Sequence, residues 1–143
     1  MHDDILVPTD GSESSDAAVD HALEIADRGT TTVHFLHVVD VGTEMSASAS
    51  GTIAPQVTET LEEQADEVLD DAANRAEEVG VDYERPAREG DPHDVIAAYV
   101  DENDVDLVVM GASGRSGLKE HLLGSTSDRV IRTVDASVLL ARP

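Results

Sequence analysis

Cysteine and tryptophan are absent from this chain, and its other aromatics stop at one phenylalanine and two tyrosines. Without thiols there can be no disulfide, no thiolate nucleophile and no Cys-ligated zinc or iron–sulfur centre. The core must therefore be aliphatic, and 18 Val, 11 Leu and 5 Ile are there to build it. No window approaches eighteen uninterrupted apolar residues, so no membrane-spanning helix is expected. The opening residues, MHDDILVPTDG, have neither a basic region nor a long apolar one, and no secretory signal is expected from them. A cytoplasmic location follows as the expectation. Lysine is nearly missing too, since Lys119 is the only one.

Nine basic residues face 31 acidic ones, a net charge of −22. Duplex nucleic acid and anionic membranes attract basic surfaces, so neither is an expected partner. Acidic chains are often disordered, but the apolar positions here recur with helical and strand periods, and 143 residues suffice for one folded domain. The charge suits a folded protein of a salt-accumulating, archaeon-like halophile. In about 1 M salt the Debye length falls to about 3 Å, which screens the self-repulsion of such a surface.

Ile5–Val7 reads as a first strand ending at Pro8-Thr9-Asp10-Gly11. Ser12–Ser15 offer N-caps for a helix with Ala17, Ala18, Val19, Ala22, Leu23, Ile25 and Ala26 at helical spacing, closed by Gly29. Thr32–Val38 is a β-branched, apolar second strand. The Gly, Ser, Ala and Thr of about 40–55 predict a flexible loop, either a connection or a lid. A long acidic helix over about 56–79 ends at Gly80, and the more polar 81–87 predicts a third strand at an edge. Pro92 sits in the first turn of the next helix. A buried strand over 105–110, a glycine-rich loop, a helix over about 125–133 and a last strand over 137–141 complete the chain. Regular alternation of strand and helix predicts a parallel sheet covered on both faces, in a single domain over 1–143.

The loop after the 105–110 strand reads GASGRSGLKEHLLGSTS. Glycines permit close backbone approach to a ligand, and small hydroxyl residues opening a helix present free donors to an anion. Gly111, Gly114, Gly124 and Ser125 keep the spacing Gly, two residues, Gly, nine residues, Gly, Ser. With ILVPTDGS after the first strand, LHVVD after the second and SVLLARP at the end, nearly the whole chain resembles the nucleotide-binding branch of the universal stress proteins.

The resemblance implies an α/β fold: a five-stranded parallel sheet in the order 3-2-1-4-5, of Rossmann type, with helices on both faces and a crevice at its switch point. It also implies an ATP or other adenine-nucleotide site, with the nucleotide carrying magnesium. Pro8, Thr9 and Asp10 would line the ribose and adenine side, with Asp10 accepting from ribose hydroxyls or standing near the metal. Val38 would offer backbone groups to the adenine edge, and Met110 would pack against the ring. Gly111, Gly114 and Gly124 would bring backbone close to ribose and phosphates, and Ser125, Thr126 and Ser127 would donate to phosphate oxygens. Arg115 and Lys119 lie inside the loop, as phosphate clamps or as solvated surface charges. Ser113 stands where relatives often carry His.

No Ser–His–Asp arrangement is visible, and the Walker pattern with Lys before Ser/Thr is absent, since Gly124-Ser125 has Leu123 before it and Lys119 comes too early. ATP turnover is thus expected to be slow or absent, and the function that of a nucleotide-dependent stress-response regulator with an unknown protein partner. The alternative is a nucleotide-free interaction module of the same fold. A phosphoacceptor signalling domain is disfavoured, because Asp3-Asp4 precede the first strand and the last strand lacks Lys. His34 and His37, three apart on a strand, predict opposite directions, and His2, His21, His93 and His121 show no ligand spacing, so no protein-only metal site is expected. Homodimerisation through the last strand is implied by the family and gives an apolar edge strand its cover.

Overall fold

The structure, a computed structural model, describes residues 2–40, 55–112 and 125–143, with the side chains of 55–58 and 125 excepted. The loop foreseen at about 40–55 lies, for residues 41–54, outside the described residues. The elements in order are β1 (Asp4–Pro8), α1 (Glu13–Ile25), β2 (Thr32–Val39), α2 (Pro55–Val79), β3 (Asp82–Glu84), β4 (Ala87–Glu89), α3 (Pro92–Glu102), β5 (Leu107–Gly111), α4 (Ser125–Thr133) and β6 (Ser137–Ala141).

Every strand pairing is parallel. The sheet runs β3-β2-β1-β5-β6, with β4 also pairing β2. It therefore has six strands where five are expected, because the third strand is broken. Pro86 has no N–H to give a ladder, though its carbonyl accepts from the His37 N–H at 3.1 Å. Pairing with β2 stops at His34↔Glu84 and resumes at His37↔Ala87. Taken as one interrupted strand, β3 and β4 restore the expected order. The chain moves from β1 outward through β2, then returns to the other side of β1 at β5, so the switch point lies between the ends of β1 and β5.

Side-chain alternation along the buried strands makes two cores. Ile5, Val7, Val33 and Phe35 pack with Ala18, Val19 and Ala22 of α1 and Leu69, Ala72 and Ala76 of α2. Leu6, Leu36, Val108 and Met110 point the other way, against Ile96, Tyr99 and Val100 of α3 and Val130 of α4. Strands buried on both faces need apolar residues at successive positions, which is why β1 and β5 read as unbroken apolar runs.

Ser12 is the N-cap of α1 and accepts from the Ser15 N–H at 3.2 Å. Gly29 does not close this helix as expected. The helix ends at Ile25, and a turn follows in which the N–H groups of Thr30 and Thr31 donate to the Asp27 carbonyl. Gly80 does close α2: its N–H donates to the Glu77 carbonyl and that of Val81 reaches back to Ala76, the paired bonds of a left-handed helix terminus. Pro92 occupies the first turn of α3, as its spacing predicts. Among the described residues no helix is long and apolar enough to cross a membrane.

Candidate functional site

The carboxyl end of β1 is held by β2. The Thr9 N–H donates to the Leu36 carbonyl at 2.8 Å. The buried His37 donates its Nδ1–H to the Thr9 carbonyl at 2.9 Å, so this ring is fixed as the Nδ1–H form and the Thr9 carbonyl is pinned. Sequence reasoning weighed His37 only as a metal ligand and missed this positioning role. The structure sets it on the α1–α2 face and His34 on the α3 face, where His34 meets Tyr99. Thr9 is only 5 % exposed, and its Oγ1 has no hydrogen-bond partner.

Asp10 and Ser12 divide the work at the loop. Asp10 Oδ1 accepts from the Ser12 N–H at 2.9 Å, while the Asp10 N–H donates to Ser15 Oγ at 3.3 Å. Ser12, rather than Asp10, caps the helix. Asp10 instead folds the loop into an Asx turn, which fixes where its carboxylate stands.

Val38 owes its place to strand geometry. Successive residues of a parallel strand direct their backbone groups to alternate neighbours. The His37 N–H donates to Pro86 and the Val39 carbonyl accepts from Gly90, both on the β4 side. The Leu36 carbonyl accepts from Thr9, on the β1 side. The N–H and C=O of Val38 therefore face the β1 side as well, one step past the last β1 register pair, Pro8↔Leu36. They look into the gap that β1 leaves when it turns at Asp10.

Across the switch point, β5 ends at Gly111. A Cβ there would lie 2.5 Å from Ser14 Cβ and 2.8 Å from the Ser14 carbonyl carbon. This glycine is thus required by the packing of β5 against the first turn of α1, whatever else it does. Ser127, only 4 % exposed, donates its hydroxyl to the Gly111 carbonyl at 2.9 Å and ties α4 to the end of β5. That proton is committed within the protein, a use that sequence reasoning did not foresee for Ser127. Thr126 is half-buried in the first turn of α4. Met110 is buried in the core on the α3–α4 side. Of Ser125 only the backbone is described, and Gly114, Arg115 and Gly124, with Lys119, lie outside the described residues.

The structure so gathers Pro8, Thr9, Asp10 and Val38 on one side of the switch point and Gly111, Thr126 and Ser127 on the other. One wall carries a carboxylate and directed backbone groups. The other carries the first turn of α4, whose N–H groups have no partners within the helix and favour an anion. Such a crevice suits a ligand with hydroxyls and ring polar atoms at one end and negative charge at the other.

A titratable group that the sequence reading passed over lies at the start of α3. Asp91, His93 and Asp94 bring three ligand-type atoms within 4.8 Å of one another. His93 Nδ1 is 2.6 Å from Asp91 Oδ1, Nε2 is 3.1 Å from Asp94 Oδ1, and Arg129 Nη1 is 3.5 Å from Nδ1. With a carboxylate at each ring nitrogen and a guanidinium alongside, the arrangement is that of an ion cluster around the imidazole.

Comparison with known proteins places these features in a family. The sequence pattern of the universal stress protein family matches residues 1–142. The universal stress protein MJ0531 of Methanocaldococcus jannaschii is 35% identical over 142 residues, spanning 99% of this chain and 83% of that protein. The solved structure of MJ0577 from the same organism matches with a TM-score of 0.88 at 29% identity, over 100% of this chain and 97% of the other. The crystal structure of a universal stress protein in complex with cAMP matches with a TM-score of 0.70 at 28% identity, over 99% and 97%.

Proposed function

The chain belongs to the universal stress protein family, and from that premise we propose that it is an ATP-binding member, a stress-response regulator whose bound adenine nucleotide controls its contacts with a protein partner. The observation that carries this is Val38. Its N–H and C=O face the gap past the end of β1, a donor and an acceptor side by side, which is what the edge of an adenine ring pairs with. The relative crystallised with cAMP supports the same ligand class.

In this reading Pro8 and Thr9 form the floor beside the ring, with the Thr9 carbonyl held by His37. Asp10, already oriented by its bond from Ser12, accepts from the ribose hydroxyls or stands near a magnesium ion carried by the phosphates. Gly111, Gly114 and Gly124 bring backbone to the ribose and phosphates. The backbone N–H groups of Ser125, Thr126 and Ser127 point at the phosphates, and the Ser127 hydroxyl holds the two walls together through the Gly111 carbonyl. Arg115 adds a guanidinium to the phosphate loop. Met110 closes the apolar side from within the core. The bound nucleotide supplies a reactive phosphoanhydride, but with no Walker lysine before Ser125 hydrolysis is slow at most.

Among the described residues the edge strand β6 pairs β5 on one side only, and Val138, Leu139 and Leu140 on it are only half-buried. A second copy of the chain covers this edge in a homodimer. The −22 charge supports a salt-rich cytoplasm as its setting. Calorimetric titration with ATP and magnesium in concentrated salt tests the nucleotide site. A saturable heat is expected, weakened roughly ten-fold or more in Asp10→Ala, since a hydrogen bond to a charged group is worth about 1.5–3 kcal/mol. No heat in the wild type would leave the nucleotide-free interaction module as the function of this fold.

A further inference from the structure

Charge is divided unequally between the two helical layers. On one face of the sheet α1 carries Glu13, Asp16, Asp20 and Glu24 without a base, and α2 carries nine carboxylates with Arg75 alone, a net −12. On the other face α3 and α4 carry Asp94, Asp101, Glu102 and Asp128 with Arg129 and Arg132, a net −2. Within α2 the acids repel along the helix itself. Glu59–Glu63, Glu62–Asp66, Glu63–Glu67, Asp66–Asp70 and Glu67–Asp71 are like-charge pairs at i,i+4 spacing, each of which destabilises a helix. The one opposite-charge pair of α2 at that spacing is Asp71–Arg75, at 3.2 Å. The ends also go against the macrodipole: the first turn has no acid, and the last holds Glu77 and Glu78 without a base.

Packing does little to offset this repulsion. Among its described side chains the 25-residue α2 buries one large one, Leu69, with Ala65, Ala72, Ala73 and Ala76. The 11-residue α3 buries Ile96, Tyr99 and Val100. Small side chains remove little apolar area from water, so α2 gains less per residue. A cavity of about 210 Å³ is left between α1 and α2. Two guanidiniums tie the helix down. Arg75 reaches Asp16 and Asp20 of α1 at 3.7 and 3.3 Å, and Arg85, from the break between β3 and β4, holds Asp70 at 2.9 Å. The Tyr83 hydroxyl donates to Glu77 at 2.7 Å. At the seam, Asp16 is held above the usual carboxylate range by burial first, partly offset by Arg75, with Asp71, Asp20 and Asp10 adding repulsion.

We propose that α2 is a salt-gated element of the fold, seated on the sheet in concentrated salt and released as a unit at low ionic strength while the sheet and the α3–α4 layer stay folded. Neighbours at i,i+4 stand about 5–6 Å apart. That spacing lies beyond the Debye length of about 3 Å at 1 M salt and well inside the 10 Å of 0.1 M, so the repulsion within α2 is switched by salt in this range. Release of one cooperative unit ahead of the rest is a common form of local opening. It uncovers Val7, Val33 and Phe35 on the sheet. It also frees the loop at the crevice, because Val68 Cγ2 lies 3.1 Å from where a Cβ on Gly11 would stand. Ionic strength is thereby converted into an exposed apolar face and a loosened loop after β1. Nothing in this requires a nucleotide in the crevice, and the two inferences succeed or fail separately.

The test is amide hydrogen exchange of the full chain, without added ligand, as potassium chloride is lowered from about 1 M to about 0.1 M. Each like-charge pair shifts a helix equilibrium by about 1.4- to 2.3-fold, so five together predict exchange in α2 faster by roughly 5- to 70-fold. The amides of β1, β5 and α3 keep their protection. Glu62→Gln with Glu63→Gln breaks three of the five pairs and removes most of the salt effect in α2. Asp101→Asn with Asp135→Asn takes the same charge from outside this layer and leaves the effect in place. Tetramethylammonium chloride at equal ionic strength protects α2 as well as potassium chloride does. Protection lost in step along the whole chain, α2 exchange indifferent to salt, or equal rescue by the Asp101 and Asp135 pair would each overturn the proposal. Protection by potassium alone would replace screening with a specific cation site and overturn it too.

Discussion

Replacing Gly111 by alanine isolates what this glycine does without any ligand. The added Cβ would stand 2.5 Å from Ser14 Cβ, 2.8 Å from the Ser14 carbonyl carbon and 3.1 Å from its oxygen. Two of these neighbours are backbone in the first turn of α1, which is itself fixed by the Ser12 cap. Rotating a side chain therefore cannot relieve the contact, and β5 or the start of α1 has to shift. Overpacking of this kind costs about 1–3 kcal/mol, and a backbone obstacle sets the expectation in the upper half, about 2–3 kcal/mol. At about 2–4 °C per kcal/mol for a chain of this size, the ligand-free melting temperature should fall by roughly 5–10 °C. Gly29→Ala is the control: nothing lies within 4 Å of its new Cβ, but φ is +84°, so it should lose only about 1 kcal/mol for left-handed backbone. Ser14→Gly in the Gly111→Ala background removes one of the three contacts and should recover part of the loss, as a coupling of about 0.5 kcal/mol or more in a double-mutant cycle. Scanning calorimetry in concentrated salt reads these three variants and the single Ser14→Gly that completes the cycle. A Gly111→Ala protein that melts with the wild type would refute the close approach of β5 to α1, and with it the geometry of the switch point.

Further outcomes follow from named contacts and from the net charge. In the neutral ring His34 Nε2–H donates to Asp4 at 2.9 Å and Nδ1 accepts from the Tyr99 hydroxyl at 2.7 Å, so Tyr99→Phe strands a buried nitrogen and should cost about 1–3 kcal/mol in urea unfolding. Burial, with the Glu84 charge second, pushes the Tyr99 phenol up to about 12; its contribution is complete below pH 10 and is lost as pH rises from 10 through 12, up to roughly 2–3 kcal/mol, and Tyr99→Phe should flatten that alkaline slope. An unchanged slope would count against the burial of this phenol. Ser12→Ala removes the acceptor for the Ser15 N–H and should lower stability by about 1 kcal/mol; no loss would mean that Asp10 caps α1 after all. Transfer of ligand-free protein from about 1 M to about 0.1 M salt lengthens the Debye length from about 3 to about 10 Å, and with a −22 charge the melting temperature should drop; an undiminished value would contradict the halophilic reading.

The order of elements was legible because this fold writes its periods plainly. Buried parallel strands leave apolar runs such as Ile5–Val7, and β6 at Ser137–Ala141 lies where its residues predict. What escaped was set by single tertiary contacts. Pro86 splits the third strand, which composition alone shows as one polar stretch. Gly29 is a plausible helix end, but the backbone is already extended at Ala26, which stops α1 earlier. At the crevice, sequence could name Thr9, Asp10 and Ser127 but not divide their labour. That Ser127 spends its proton on the Gly111 carbonyl, or that His37 pins Thr9, depends on pairs far apart in the chain. A His within an otherwise apolar strand was the one signal for the latter. The Asp91, His93 and Asp94 group was visible as a local run, and was missed by looking only for i, i+4 spacing.

The central claim is that the crevice between β1 and β5 holds an adenine nucleotide. The most direct measurement is to purify the full chain in concentrated salt, denature it, and resolve the released small molecules by nucleotide chromatography. The account predicts an adenine nucleotide near one per chain, lost in Asp10→Ala. Protein that releases no nucleotide, and that gives no heat when titrated with ATP and magnesium, would contradict it.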